Sequence, residues 1–202
     1  MKFGFRLTVT LLMLGAMLIF FGGKGLYFKV MPAHDLYEET CDWDSLKNGQ
    51  HVCANVDLVF YPFIVYSSDG HDTKAVYYLP DYKTDSGIIN YMGIEVKAKD
   101  FDKYNDLADI CERYWLLGED IDFNQIPVIP VDGYLRKMKD DELSYLKQDL
   151  KALGYESSDF DNIIVPYVFV ENSTPIASLG MLVGGIVLLA GGGVMAFFSF
   201  KK

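Results

Sequence analysis

The sequence predicts an α+β domain, built as a small, strongly bent sheet or partly closed barrel with two packed helices, flanked by an N-terminal and a C-terminal transmembrane helix. Three observations carry that expectation. Two uncharged apolar runs stand near the ends of the 202 residues, Leu7 to Gly23 and Ile176 to Phe200. Between them, alternating apolar residues mark strands, and two stretches carry apolar residues at helical spacing. All 28 carboxylates and 14 of the 18 Lys and Arg residues fall in this interior, which gives it a formal charge of −14. The expected division is 1–29 for the first helix and its exit, with the span at about 7–23, then 30–174 for the domain and 175–202 for the second helix.

Each apolar run is able to cross a hydrocarbon core of roughly 30 Å as a helix. Met1 to Arg6 followed by the first run also has the form of a signal peptide. However, the one small-x-small cleavage site is Gly23-Lys24-Gly25, with lysine at its centre, and there is no Leu-x-x-Cys lipobox. The run therefore reads as a retained signal anchor. Lys24 is placed to snorkel, and Tyr27 and Phe28 suit an interface.

In the interior, Val52, Ala54, Val56, Leu58 and Phe60 share one face of a strand, with Cys53, Asn55 and Asp57 on the other. Pro62 breaks or bulges it. Further strands are expected at Phe63 to Tyr66, Ala75 to Leu79, Ile88 to Val96, Ile126 to Met138 and Asn162 to Val170, between turn clusters such as Ser67-Ser68-Asp69-Gly70. A helix is expected from about Phe101 to Leu117, with Tyr104, Leu107, Ala108, Cys111, Tyr114 and Trp115 on one stripe and Gly118 as its stop. A second runs from Asp140 to Leu153 with Leu143, Leu146, Leu150 and Leu153 inward and Gly154 at its end. The last strand should pair within the central sheet. The domain's first and last elements should lie side by side, since both connect to spans.

The second span opens with hydroxyl residues Ser173 and Thr174, then Pro175 where no amide donor is needed. Lys2 and Arg6 before the first span, and Lys201 and Lys202 after the second, place both termini in the cytoplasm and the domain outside it, with the plasma membrane of a bacterium as the expected location. Glycines in the spans point to close helix packing: Gly15 and Gly22 are seven apart, Gly180 and Gly184 form a GxxxG pair, and Gly191 lies seven beyond Gly184. Such spacing serves packing of the two spans on each other, or homo-oligomer formation. No ionisable side chain lies inside either run, which argues against a proton relay.

Several chemistries are excluded. A domain at −14 is repelled by phosphate backbones, so nucleic acid is not a partner. Cys41 and Cys53 flank a turn at Asn48-Gly49 and are candidates for a disulfide, whereas Cys111 sits on a helix stripe as a buried thiol. His34, His51 and His71 are the three histidines, and none falls in a Gly-x-Ser-x-Gly, His-Glu-x-x-His or Cys-x-x-Cys context. Asp-x-Asp pairs at 42/44, 100/102, 120/122 and 159/161 lack an EF-hand's glycine and glutamate, and read as caps and turns. No catalytic, cofactor-binding or metal-binding residue is therefore assigned. The expected role is a membrane-anchored, non-catalytic interaction or assembly domain with a protein partner. The alternatives are an enzyme acting on envelope polymer or lipid, and a small oligomeric channel.

A family resemblance rests on Trp43-x-x-Leu46-x-x-Gly49-x-x-Val52-x-x-x-Val56, Tyr77-Tyr-Leu-Pro80, Tyr91-Met-Gly-Ile-Glu-Val96 and Val131-Asp-Gly-Tyr-Leu-Arg136. Over most of its length the chain resembles uncharacterised bacterial membrane proteins in which two spans flank an extracytoplasmic α+β or OB-like domain. The resemblance implies an architecture and no activity.

Topology is tested with single cysteines placed at positions 3 and 70. An impermeant thiol reagent applied to intact cells is expected to label position 70 and to spare position 3; labelling of position 3 reverses the orientation.

Overall fold

The computed structural model describes residues 2–30, 32–83, 87–115, 117–119, 126–171 and 175–200. The chain divides into two compact units, residues 33–171 and the pair of terminal segments 1–32 and 172–202.

The inner unit is α+β. Its strands are β1 (His34–Asp35), β2 (His51–Val56), β3 (Phe60–Ser68), β4 (His71–Lys83), β5 (Gly87–Lys97), β6 (Ile129–Lys137) and β7 (Ile164–Glu171). They form one mixed sheet in the order β1-β2-β6-β7-β5-β4-β3, parallel at β1/β2 and β5/β7 and antiparallel elsewhere. The sheet has two edges, β1 and β3, so the partly closed barrel expected from the sequence is not formed. The physical reason is coverage of both faces. Helix α2 (Phe101–Trp115) lies over one face and α3 (Asp140–Ala152) with the short α4 (Phe160–Ile163) over the other. With each face sealed by helix, the sheet need not curl on itself to bury its apolar residues.

Alternation along β4 makes this concrete. Ala75, Tyr77 and Leu79 pack with Leu107, Ala108 and Cys111 of α2, while Val76 and Tyr78 pack with Leu146 and Leu150 of α3. The expected α2 stripe is buried at Tyr104, Leu107, Ala108 and Cys111. Helix α3 departs from expectation at its C-terminal end, where Leu153 is 63% exposed; at its N-terminal end Glu142 is fully buried.

Strand β7 occupies the middle of the sheet, as expected for the last strand, with Val168 and Phe169 fully buried. Its first residues differ: Asn162 belongs to α4. The domain's first strand is not beside its last, because β1 is an edge strand separated from β7 by β2 and β6. Of the two outcomes expected at Pro62, a break or a bulge, the structure has the irregular pairing of a bulge. β3 runs through the proline with register shifts on both sides, as suits an edge where a missing amide breaks no ladder. The β3–β4 hairpin turns at Asp69 (φ 52°) and Gly70 (φ 78°), the two left-handed positions of a type I′ turn.

The outer unit is a pair of helices, α1 (Lys2–Val30) and α5 (Pro175–Phe200), packed on each other. The segments Arg6–Gly23 and Ser178–Phe197 are long and apolar enough to cross a membrane, and only 17% and 11% of their residues are buried. The seam is read from the glycines. A Cβ at Gly22 would stand 2.5 Å from the Leu182 amide nitrogen, one at Gly15 would stand 2.9 Å from the Gly185 carbonyl oxygen, and one at Gly192 would meet Leu12 at 3.0 Å. Gly15 and Gly22 therefore lie against α5. Gly180, Gly184 and Gly191 do not lie against α1, since a Cβ at any of them meets nothing within 4 Å. The α5 stripe facing α1 is Ser178, Leu182, Gly185, Leu189 and Gly192, one residue out of phase with the expected one.

This registers a testable difference. Cysteines at Leu11 and Gly192, where the two Cβ atoms would lie 3.5 Å apart, are within bridging range. In a background without the native thiols they should oxidise to an intramolecular disulfide. Gly22→Leu should slow this and cost about 1–3 kcal/mol of helix-pair stability by overpacking, while Gly184→Leu should leave the oxidation rate unchanged.

Candidate binding cleft

Helix α3 is held at both ends by short-range chemistry. At its N-terminus the Glu142 carboxylate accepts the Lys139 backbone N–H at 2.8 Å, as the third residue of a capping box does. The same carboxylate takes two bonds from Arg136, each 2.7 Å, and one from the Tyr66 hydroxyl at 2.8 Å. Arg136 Nη2 also donates to Glu95 at 2.8 Å, and Glu95 accepts from Lys74 at 2.9 Å. Burial raises the Glu142 pKa, but the bonds from Arg136, Lys139 N–H and Tyr66 more than offset it and bring the value to about 2. Burial likewise raises Glu95, and its bonds to Lys74 and Arg136 leave it below the usual carboxylate range. Each charge in this cluster is matched, so it binds α3 to the sheet and leaves no vacancy for a ligand.

At the other end, Gly154 (φ 98°) closes the helix. The Tyr155 N–H donates to the Leu150 carbonyl and the Gly154 N–H to the Lys151 carbonyl, both at 3.1 Å. This is a Schellman turn, and it carries Tyr155 back toward the sheet. The Tyr155 hydroxyl lies 3.1 Å from that of Tyr91 on β5, and the two rings stand at 81° with centroids 6.0 Å apart. Tyr78 on β4 stands at 76° to Tyr91 and donates its hydroxyl to Asp149 of α3 at 2.9 Å.

A cavity of about 550 Å³ opens here, lined by Tyr78, Tyr91 and Tyr155 together with Tyr61 of β3, Leu153 and Ala152. Its volume is that of a small-ligand pocket, on the order of 300–1,000 Å³. Two carboxylates border it, Asp149 and Glu112, the latter from α2. Burial, with Asp109 nearby, pushes the Glu112 carboxyl up. Tyr61 donates its hydroxyl to Asp109; that bond, with burial, pushes the phenol up to about 12. A second cavity of about 480 Å³ lies by Asp35, Asp57, Tyr37 and Cys111, on the α2 side of the sheet.

None of the cysteines, histidines and Asp-x-Asp pairs singled out from the sequence lines the larger cavity. Cys41 and Cys53 are half-buried free thiols, and burial together with the carboxylates around them raises both pKa values, which disfavours the reactive thiolate. Cys111 is buried, as expected, with its thiol pushed up by burial. His34 and His71 are exposed on separate strands, and His51 is buried 3.1 Å from Asp132. Asp42 caps a 3₁₀ turn at Trp43–Ser45 by accepting the Asp44 N–H, whereas the pair at 120 and 122 lies outside the described residues. The cleft was missed because its walls come from β3, β4, β5, α3 and the turn after it. The one available signal was an excess of tyrosine, 14 in 202 residues.

Fold and cleft define a class: a pair of long apolar helices joined to a helix-covered mixed sheet with an aromatic pocket. The chain belongs to the family described as a domain of unknown function (DUF8577), whose model matches residues 2–197, through both terminal helices and the domain between them. No curated protein and no solved structure matches it.

The Glu142 cluster gives a pH prediction. An unfolded glutamate titrates near ~4.3, so a folded value of about 2 means that its contribution is complete above the unfolded value and is lost as pH falls toward 2. Between pH 5 and pH 2 this should remove up to about 3 kcal/mol. Denaturant unfolding should show a shallower acid dependence for Glu142→Gln than for the wild type, and Arg136→Ala should cost about 3–5 kcal/mol at neutral pH by stranding a buried carboxylate.

Proposed function

We propose that this protein is a membrane-anchored binding domain, in which α1 and α5 cross the membrane, both termini are cytoplasmic, and the acidic α+β domain engages a protein partner outside the cytoplasm. The observation that supports binding is the aromatic cleft. Its hydroxyls are engaged with one another and with Asp149, which leaves ring faces and apolar side chains as the surface offered to a ligand. Such a surface holds a ligand by burial and ring contact. Support for the membrane comes from the outward sides of the helix pair, where Met13, Met17, Phe20, Phe21, Val187 and Phe197 are each more than half exposed. Water would penalise that much apolar surface, whereas lipid does not.

The test uses the full-length protein in cells. A photo-crosslinking residue at Leu153 should give a discrete adduct with the partner, and filling the cleft with Ala152→Trp should abolish it. Function should survive His34→Ala, His51→Ala and His71→Ala. An adduct indifferent to Ala152→Trp, or loss of function confined to a histidine variant, would overturn the binding reading.

A further inference from the structure

The charge around the cleft is unbalanced in a way that identifies its ligand. Asp149 and Glu112 both border it, and among the described residues no lysine, arginine or histidine lines it. Among the described residues, neither carboxylate takes part in an ion pair, although ion pairs link Lys74, Arg113 and Arg136 to other carboxylates. Both are partly buried. Each also stands in the last turn of its helix, Glu112 in α2 and Asp149 in α3, where the negative end of the helix dipole opposes a carboxylate. One cation stands in each of those turns, Arg113 in α2 and Lys151 in α3, but neither lines the cleft; stability alone would favour a cation or a neutral residue at Glu112 and Asp149 as well.

Resting on the binding reading above, we propose that the cleft is a site for an organic ammonium group. The rings of Tyr78 and Tyr155 are steeply inclined to that of Tyr91, and Tyr61 is partly exposed at the rim. Inclined ring faces of this kind attract an ammonium ion, the more so when it is desolvated. Glu112 and Asp149 supply the balancing charge. An anion would meet two uncompensated carboxylates inside a domain, residues 33–171, that holds 12 Lys and Arg against 28 Asp and Glu. A neutral apolar ligand would bury the Glu112 carboxylate further without pairing it, at a desolvation cost. A bare metal ion needs several oxygen ligands, and no group of three or more His, Cys, Asp or Glu side chains among the described residues is arranged to hold one. An alkylated ammonium fits best, because it brings charge without several N–H donors to satisfy, and Asp149 already accepts from Tyr78.

The experiment is ligand-observed NMR and calorimetry on the full chain in maltoside micelles, which contain no choline. The probes are choline, its neutral isostere 3,3-dimethylbutan-1-ol, and Nα-acetyl-lysine methylamide. Choline should bind about tenfold more tightly than the isostere. Ala152→Trp should remove binding, and Glu112→Gln should weaken choline about tenfold while leaving the isostere and the circular dichroism spectrum unchanged. Preference for the lysine probe over choline supports the ammonium assignment and makes a partner's side chain its source. Equal binding of choline and its isostere overturns the assignment while the cleft stands as a binding site. Absence of binding by both cations overturns it as well, and the crosslinking result at Leu153 then judges the cleft independently.

Discussion

The interaction on which the rest of the domain depends is the fork that Arg136 makes between Glu142 and Glu95. Arg136 lies on β6 and Glu95 on β5, with β7 between them, so the guanidinium reaches over the central strand while gripping the first turn of α3. A buried ion pair of this type contributes little net stability against a well-packed apolar replacement, because both ions lose water. Its value is positional. Glu142 satisfies its oxygens only where Arg136, Tyr66 and the Lys139 amide converge, so α3 has one rotation and one height at which its N-terminus can rest. Leucines alone would allow it to slide by a turn.

With one end of α3 fixed, its other end falls over β3, β4 and β5. Leu146 and Leu150 fill the space above Val76 and Val168, and past Leu150 the helix runs out of apolar contacts. The Schellman turn then brings Tyr155 back, and the gap between that tyrosine, the helix end and the edge strand is the cleft. Its floor is inherited from the sheet: Tyr78 and Tyr91 occupy the α3 face because their neighbours Tyr77 and Met92 occupy the α2 face. A single two-residue period therefore supplies both the core of one layer and the rings of the cleft in the other.

Periodicity is also what made most of the fold legible in the sequence. The α2 stripe, the strands from β2 to β6 and the apolar terminal helices all follow from spacing, because burial acts on one face at a time. The errors lie where spacing is degenerate or where burial is not apolar. Gly184-Gly185 and Gly191-Gly192-Gly193 offer two seven-residue pairs one position apart, and only the facing helix chooses between them. Glu142 is polar, and apolar spacing carries no sign of its burial, which depends on Arg136 of β6 and on Tyr66 of β3, 76 residues away in sequence. Leu153 is apolar and so was read as inward, although the helix has left the sheet by that point. Sheet closure was not legible at all, since strand order depends on which loops cross which face, and β7 enters between two strands already paired to others.

The two ends of α3 together give the domain its electrostatic logic. Near the N-terminus, Lys74, Arg136 and Lys139 are gathered around Glu95 and Glu142, which uses three of the few cations of a strongly acidic domain to neutralise two buried carboxylates. Near the C-terminus the balance differs: carboxylates from two helices border a cavity lined by tyrosines, and no cation among the described residues lines it. Each last turn does carry one cation, Arg113 in α2 and Lys151 in α3, yet neither lines the cleft, so two carboxylates stand against the helix dipoles without a partner charge. Local rules of this kind are broken most often at sites that meet a ligand, where the missing charge arrives from outside. The N-terminal end of α3 is therefore the one whose charges are matched within the domain, and the C-terminal end, beside the cleft, is the one at which the proposed ligand would supply the match.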